Sequence, residues 1–205
     1  MATTKQHPSR RYTVGSQYIC FNTMSADGEW TDTFEAAVVE LPTVVDVEIA
    51  DNSDAYDVYA SGNIYESDTP VTSQEISETN VAFPESLLAR MRGETVEDGV
   101  VLGGGYGTRP FFAYGVEINY KDGTKDLRWY PKCKLTENDD RAETSEDTNK
   151  DQNRGVTIKA YGFNENGNTV VKALTDETGM ANMTPALFFA APLLDVASVK
   201  ALLNT

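Results

Sequence analysis

RPFFAYGVEINYKDGTKDLRWYPKCKL, from Arg109 to Leu135, places two alternating, aromatic-rich arms either side of a short polar link. Asp122-Gly123 lies in that link. Asp-Gly between alternating arms is a strong hairpin signal, because a tight two-residue turn needs left-handed backbone that Gly and Asp tolerate. Alternation puts Trp129 on one face of the resulting sheet, where a large indole defaults to the core. The stretch therefore reads as the central hairpin of a β protein.

The sequence on either side extends that sheet. TVVDVEIA (43–50) is β-branched and alternating, and VTSQEISETNVAF (71–83) is polar on both faces, which predicts a solvent-exposed or partner-facing edge strand. GVTIKAYGF and TVVKAL flank NENGN, and Asn166-Gly167 at its centre predicts a second hairpin. Helical periodicity is scarce. FPESLLARMRG predicts one helix over about 84–92: Pro84 suits the first turn, Glu85 the dipole and Gly93 the stop. Leu87, Leu88 and Met91 form a single apolar stripe, as a helix lying on a sheet requires. DVASVKALL predicts a second helix with Asp195 as its N-cap. The fold class that results is mainly β, a sandwich or barrel with one flanking helix.

Two segments fit a compact domain poorly. One is the acidic stretch 137–154, which has no large hydrophobic side chain and predicts a long loop. The other is the C-terminal run around Pro185 and Pro192, where prolines disfavour an interior strand. Its apolar residues need a surface, either the chain's own core or another subunit. The organisation expected is a β-sandwich domain with an N-terminal arm over 1–175 and a C-terminal extension over 176–205.

At 205 residues, 40% hydrophobic with 10 Tyr and 8 Phe, the chain can bury a sizeable core. No run approaches a bilayer-spanning length and the N-terminus lacks a signal-peptide pattern, so no membrane association and a cytoplasmic setting are expected. Cys20 and Cys133 lack metal-ligand spacing and read as two reduced core thiols. The net charge is −15 and unevenly spread: residues 46–98 hold thirteen acids against Arg90 and Arg92, while 99–136 hold six bases against three acids. That balance opposes wrapping nucleic acid, which requires basic surface.

Catalytic constellations are absent from the sequence. The single histidine, His7, removes Ser-His-Asp and Cys-His chemistry and histidine-ligated zinc. VLGGGYGTRP (101–110) lacks the Gly-Lys-Ser/Thr and following helix of a phosphate loop, and reads as backbone that bends sharply or meets another chain closely. DTNKDQNRG, counted from Asp147 as an EF-hand loop, has Gln152 where Gly is needed and Ile158 where a bidentate Glu is needed. No enzyme activity, no cofactor and no metal are expected.

Taken together, four stretches resemble in order the major tail proteins of long-tailed bacteriophages, the phi13-type tail tube family. They are VDVEIADNSDAYDVYASGNIYES, FPESLLARMRGETVEDGVV, the central hairpin RPFFAYGVEINYKDGTKDLRWYPKCKL, and GVTIKAYGF. The resemblance covers about Val44 to Lys172; the extension after Thr175 falls outside it. Cys133 departs from a position usually small in the family, and the 137–154 loop is unusually acidic. The resemblance implies a β-sandwich subunit forming homo-hexameric rings stacked into a tube. The implied partners are a tape measure protein and a tail terminator, with DNA passing through the lumen without specific binding. The implied location is the virion tail, assembled in the host bacterial cytoplasm.

Within that frame Asp46, Glu48, Asp51, Asp54, Asp57, Glu75 and Glu78 are candidates for an acidic lumen that repels phosphate. Glu137, Asp139, Asp140, Arg141, Glu143, Glu146, Asp147, Lys150, Asp151 and Arg154 are candidates for a ring-stacking arm ordered on assembly. The main rival is an acidic β-sandwich binding module, carbohydrate-binding or capsid-decorating, which predicts exposed aromatics and a stable monomer or trimer.

Overall fold

The computed structural model describes residues 8–53, 55–105, 107–138 and 153–204. Its strands in chain order are β1 (Arg11–Phe21), β2 (Val39–Leu41), β3 (Val44–Ser53), β4 (Tyr56–Ala60), β5 (Asn63–Asp68), β6 (Val71–Asn80), β7 (Thr95–Glu97), β8 (Val100–Leu102), β9 (Phe112–Tyr120), β10 (Lys125–Asn138), β11 (Arg154–Tyr161) and β12 (Val171–Leu174). The helices are α1 (Glu85–Arg92), α2 (Pro185–Phe188) and α3 (Val196–Ala201). One antiparallel sheet runs β2–β1–β9–β10–β11–β6–β3, with β12 added on β10. Mainly-β architecture with few helices is as the sequence predicts.

The central hairpin is β9–β10, turning at Gly123 with φ +90°. Pro131 lies inside β10, where a missing N–H would break a regular ladder. The ladder is indeed irregular there: Tyr130 pairs with Tyr114 and Cys133 with Phe112, leaving two residues opposite one. The extra residue reverses the alternation, so Tyr130 and Cys133 both face the same core.

The sheet curls around that core. Ile19, Phe112, Tyr114, Tyr130, Ile76 and Ile158 gather inside, with Leu88 and Met91 of α1 against them. Tyr114 of β9 reaches Glu78 of β6 across the interior at 2.8 Å, although two strands separate them in the sheet. Helix α1 begins after Pro84 and stops at Gly93, whose φ is +74°. A Cβ on Gly93 would lie 2.7 Å from the Thr108 carbonyl, so the glycine also admits the glycine-rich loop. Cys20 and Cys133 are free and buried.

A second cluster lies on the other face of the β1–β9–β10 half. Tyr18, Cys20, Leu127 and Trp129 are covered there by Met183, Phe188, Phe189, Leu193 and Val199. The C-terminal apolar residues thus cover the chain's own sheet. Pro185 opens α2 behind the Thr184 cap, and Asp195 caps α3 by accepting from the Ser198 N–H at 2.6 Å. Pro185 therefore begins a short helix that the sequence reading did not foresee.

Three sequence expectations change. First, β6 is not an edge strand but lies between β11 and β3, and the edge is β3. The polar side chains on its inner face are buried because each finds a partner: Gln74 with Thr169 at 2.6 Å, Glu78 with Tyr114 and Asn80 with Gln17 at 2.7 Å. Second, β11 and β12 do not pair as a hairpin. A tight turn does form at Asn164–Gly167, but β11 and β12 run in the same direction, both antiparallel to β10: β11 pairs with Cys133–Asn138 and β12 with Asp126–Trp129. Third, the 137–154 loop is shorter than expected, since β10 extends to Asn138 and β11 starts at Arg154.

Candidate assembly surfaces

The C-terminal segment covers only half of the outer sheet face. On the other half, strands β3, β6, β11 and β10 present a polar face to solvent, and pairing places their outward residues in rows. Asp46, Thr79 and Gly155 form the first, and Glu48, Ser77, Thr157 and Glu137 the second. Ala50, Glu75, Lys159 and Lys134 form the third, and Asn52 and Tyr161 flank the buried Ser73 in the fourth. Apart from Ala50 and Tyr161 these rows are polar or glycine, as expected of a surface facing water rather than a second layer. A shallow cavity of about 320 Å³ lies at the acidic end, among Asp46, Glu48 and Glu137.

The lumen candidates separate on this geometry. Asp46, Glu48 and Glu75 are exposed and share the open face. Asp57 is exposed on β4, away from that face, and Asp54 lies outside the described residues. Asp51 has the opposite parity, and its carboxylate accepts from the Gln74 amide at 2.5 Å. Glu78 cannot line a lumen: at 3% exposure it points into the curled core, because its strand position alternates with Ser77 and Thr79. Burial pushes its carboxyl up to about 7, partly offset by the hydrogen bond from Tyr114.

Of the stacking candidates, Glu137 lies on the open face opposite Thr157, and Arg154 donates to Glu85 of α1 at 2.7 Å. The Arg154 guanidinium beside it lowers the pKa of Glu85 and ties α1 to the sheet. Asp139, Asp140, Arg141, Glu143, Glu146, Asp147, Lys150 and Asp151 lie outside the described residues.

Two further surfaces come from segments whose turns the resemblance implied but whose projection from the sheet it did not. Strands β4 and β5 form a two-stranded hairpin, separate from the main sheet, that continues outward from the β3–β6 pair. Every residue in both strands is exposed, including Tyr59 at 66%, Ile64 at 56% and Tyr65 at 77%. Strands β7 and β8 form another, with Val100 and Leu102 exposed. Both turns have two successive residues of positive φ, Ser61-Gly62 and Asp98-Gly99. Such two-residue turns match strand twist, and the Asp98-Gly99 dipeptide was the available signal. A two-stranded hairpin is at best marginally stable alone in water, and exposed apolar side chains on an arm are a surface awaiting cover.

Among the described residues no group of three His, Cys, Asp or Glu side chains is arranged to hold a metal ion. No helix among them is long and apolar enough to cross a membrane.

No protein-family model matches the sequence, and no curated protein matches it. Among solved structures the chain is similar to the tube-terminating cap of the anti-feeding prophage, at 9% identity and a TM-score of 0.47, over 85% of this chain and 96% of that one. It is also similar to a chain of the sheath–tube complex of the PVC extracellular contractile injection system in its extended state. That match has 10% identity and a TM-score of 0.44, over 82% and 93% of the two chains.

Proposed function

We propose that this chain is a structural subunit of a phage tail tube, assembling with copies of itself into hexameric rings that stack around a genome conduit. The observation that carries this reading is the division of its surface. One half-sheet is left open and polar, while apolar side chains are displayed on two projecting hairpins. A face open to water suits a channel wall, and apolar arms suit contacts between copies.

In this reading Asp46, Glu48 and Glu137 line the channel and keep phosphate from adhering, while Glu75 borders the lysine end of the face. Lys134 and Lys159 lie at the other end of the same face, so the acidic end forms the channel wall and the lysine end is left to a neighbouring copy. The tube would enclose a tape measure protein, meet a terminator at its end and belong to the virion tail. The test is negative-stain electron microscopy with sedimentation velocity over a concentration series. Rings or tubes that grow with concentration support the proposal, and a monomer at every concentration overturns it.

The exposed Tyr56, Tyr59 and Tyr65 favour a second reading, an acidic carbohydrate-binding module. Glycan binding by a protein that stays monomeric would establish it instead.

A further inference from the structure

We infer that the β4–β5 hairpin of one copy lies on a lysine–aromatic patch of a second copy standing beside it with sheet ends level. This rests on the assembly reading above and names its lateral contact.

The chain has 17 Lys and Arg against 32 acids, yet three lysines gather in one place. Lys134 Nζ lies 4.0 Å from the centroid of Phe111, and Lys132 Nζ lies 5.8 Å from the same ring and 5.3 Å from Trp30. Lys159 Nζ lies 5.7 Å from the Tyr161 ring. Lys134 and Lys159 face one another directly across the β10–β11 ladder, where like charges repel. Glu75 is the neighbour of Lys159 on the other side. Even so, among the described residues none of the three lysines forms an ion pair. Among the described residues, then, these lysines meet aromatic rings but no carboxylate within ion-pair distance.

The β4–β5 hairpin has the matching chemistry. Residues 55–70 hold Asp57, Glu66 and Asp68 and no Lys or Arg. Pairing puts Tyr56, Val58, Glu66 and Asp68 on one face and Asp57, Tyr59 and Ile64 on the other, so each face offers acids with apolar side chains. Carboxylates meeting lysines and tyrosines meeting aromatic rings would cover both surfaces at once.

Sheet register fixes which neighbour is reached. The hairpin leaves the sheet beyond the Ser53–Val71 pair, next to the row holding Tyr161. The lysines lie toward that end, and Asp46, Glu48 and Glu137 lie toward the other. A copy displaced along the strands would present its acidic end to the acidic hairpin, whereas a copy alongside presents its lysines. A nucleic-acid backbone is the less favoured occupant, because three cations on a chain of net charge −15 displace few counterions.

The test uses two full-length charge reversals, Lys134→Glu with Lys159→Glu, and Glu66→Lys with Asp68→Lys. Circular dichroism checks their folding and sedimentation velocity reads their assembly. Each variant alone should lose assembly by on the order of tenfold or more at concentrations where the wild type assembles. An equimolar mixture should regain it, because in alternating rings every reversed patch meets a reversed hairpin. Lysine variants that assemble like the wild type, or a mixture that stays dispersed, overturn the contact but not the assembly reading. A wild type that never assembles overturns both. Retardation of duplex DNA by the wild type, lost in the lysine variant, assigns the patch to a polyanion and overturns the contact.

Discussion

Trp129 donates its indole N–H to the main-chain carbonyl of Phe188 at 2.9 Å, with both side chains fully buried. The bond joins the centre of the sheet to the C-terminal segment. Beside it Phe189 stacks on Tyr18, with ring centroids 3.9 Å apart, and meets Trp129 edge-on at 5.5 Å. Such a segment belongs to the folded subunit. Phe189→Ala should therefore cost about 3–5 kcal/mol, as for other buried aromatics. A lowered urea midpoint together with a changed Trp129 fluorescence would show it. An unchanged midpoint would mean the segment is not docked in solution.

Gly115 sits under the same contact. A Cβ there would lie 2.9 Å from the Phe189 ring and 3.1 Å from the Trp129 ring. Neither ring can retreat without opening the layer between sheet and C-terminal segment. Gly115→Ala should destabilise by about 1–3 kcal/mol, the range for overpacking a well-filled core. Combined with Phe189→Ala, the alanine should cost much less, and a double-mutant cycle would measure that coupling.

These contacts show where the sequence was legible. The β9–β10 hairpin, α1 and the Asp195 cap follow from local chemistry: Asp122-Gly123, an apolar stripe between Pro84 and Gly93, and a side chain placed to accept an N–H. What local chemistry misses is pairing between distant residues. Gln74, Glu78 and Asn80 look like solvent-facing polar positions, and only the curl of the sheet brings Thr169, Tyr114 and Gln17 to them. Likewise β12 has no local feature directing it to β10 rather than β11. Of the proposed lumen acids, Asp46, Glu48 and Glu75 share one face because their strands are adjacent in the sheet, whereas Glu78 turns inward through parity alone. Lys134 and Lys159 lie 25 positions apart and become neighbours only through the register.

The β4–β5 arm should contribute little to the subunit's own stability, since all its residues are exposed. Replacing Tyr56–Asp68 by a short Gly-Ser link should leave the thermal midpoint within a few degrees, about the scale of a sub-kcal/mol change. The same variant should fail to form rings. Calorimetry and sedimentation on one preparation separate the two effects. Full assembly without the arm would remove it from the contact surface.

Glu78 makes stability depend on pH in an unusual direction. Its carboxyl titrates near 7 in the folded protein against an ordinary 4.5, because burial disfavours the charged form. Between those two values the folded state keeps a proton that the unfolded chain has released. Stability from this group is therefore full below about pH 4.5 and is lost as pH rises toward 7, for a total of about 3 kcal/mol. Glu78→Gln keeps a group able to bond Tyr114 and removes the titration. Urea midpoints should consequently show the variant gaining on the wild type between pH 5 and pH 8, with the largest advantage at pH 8. Parallel profiles for the two proteins would mean that Glu78 is solvated or otherwise compensated in solution.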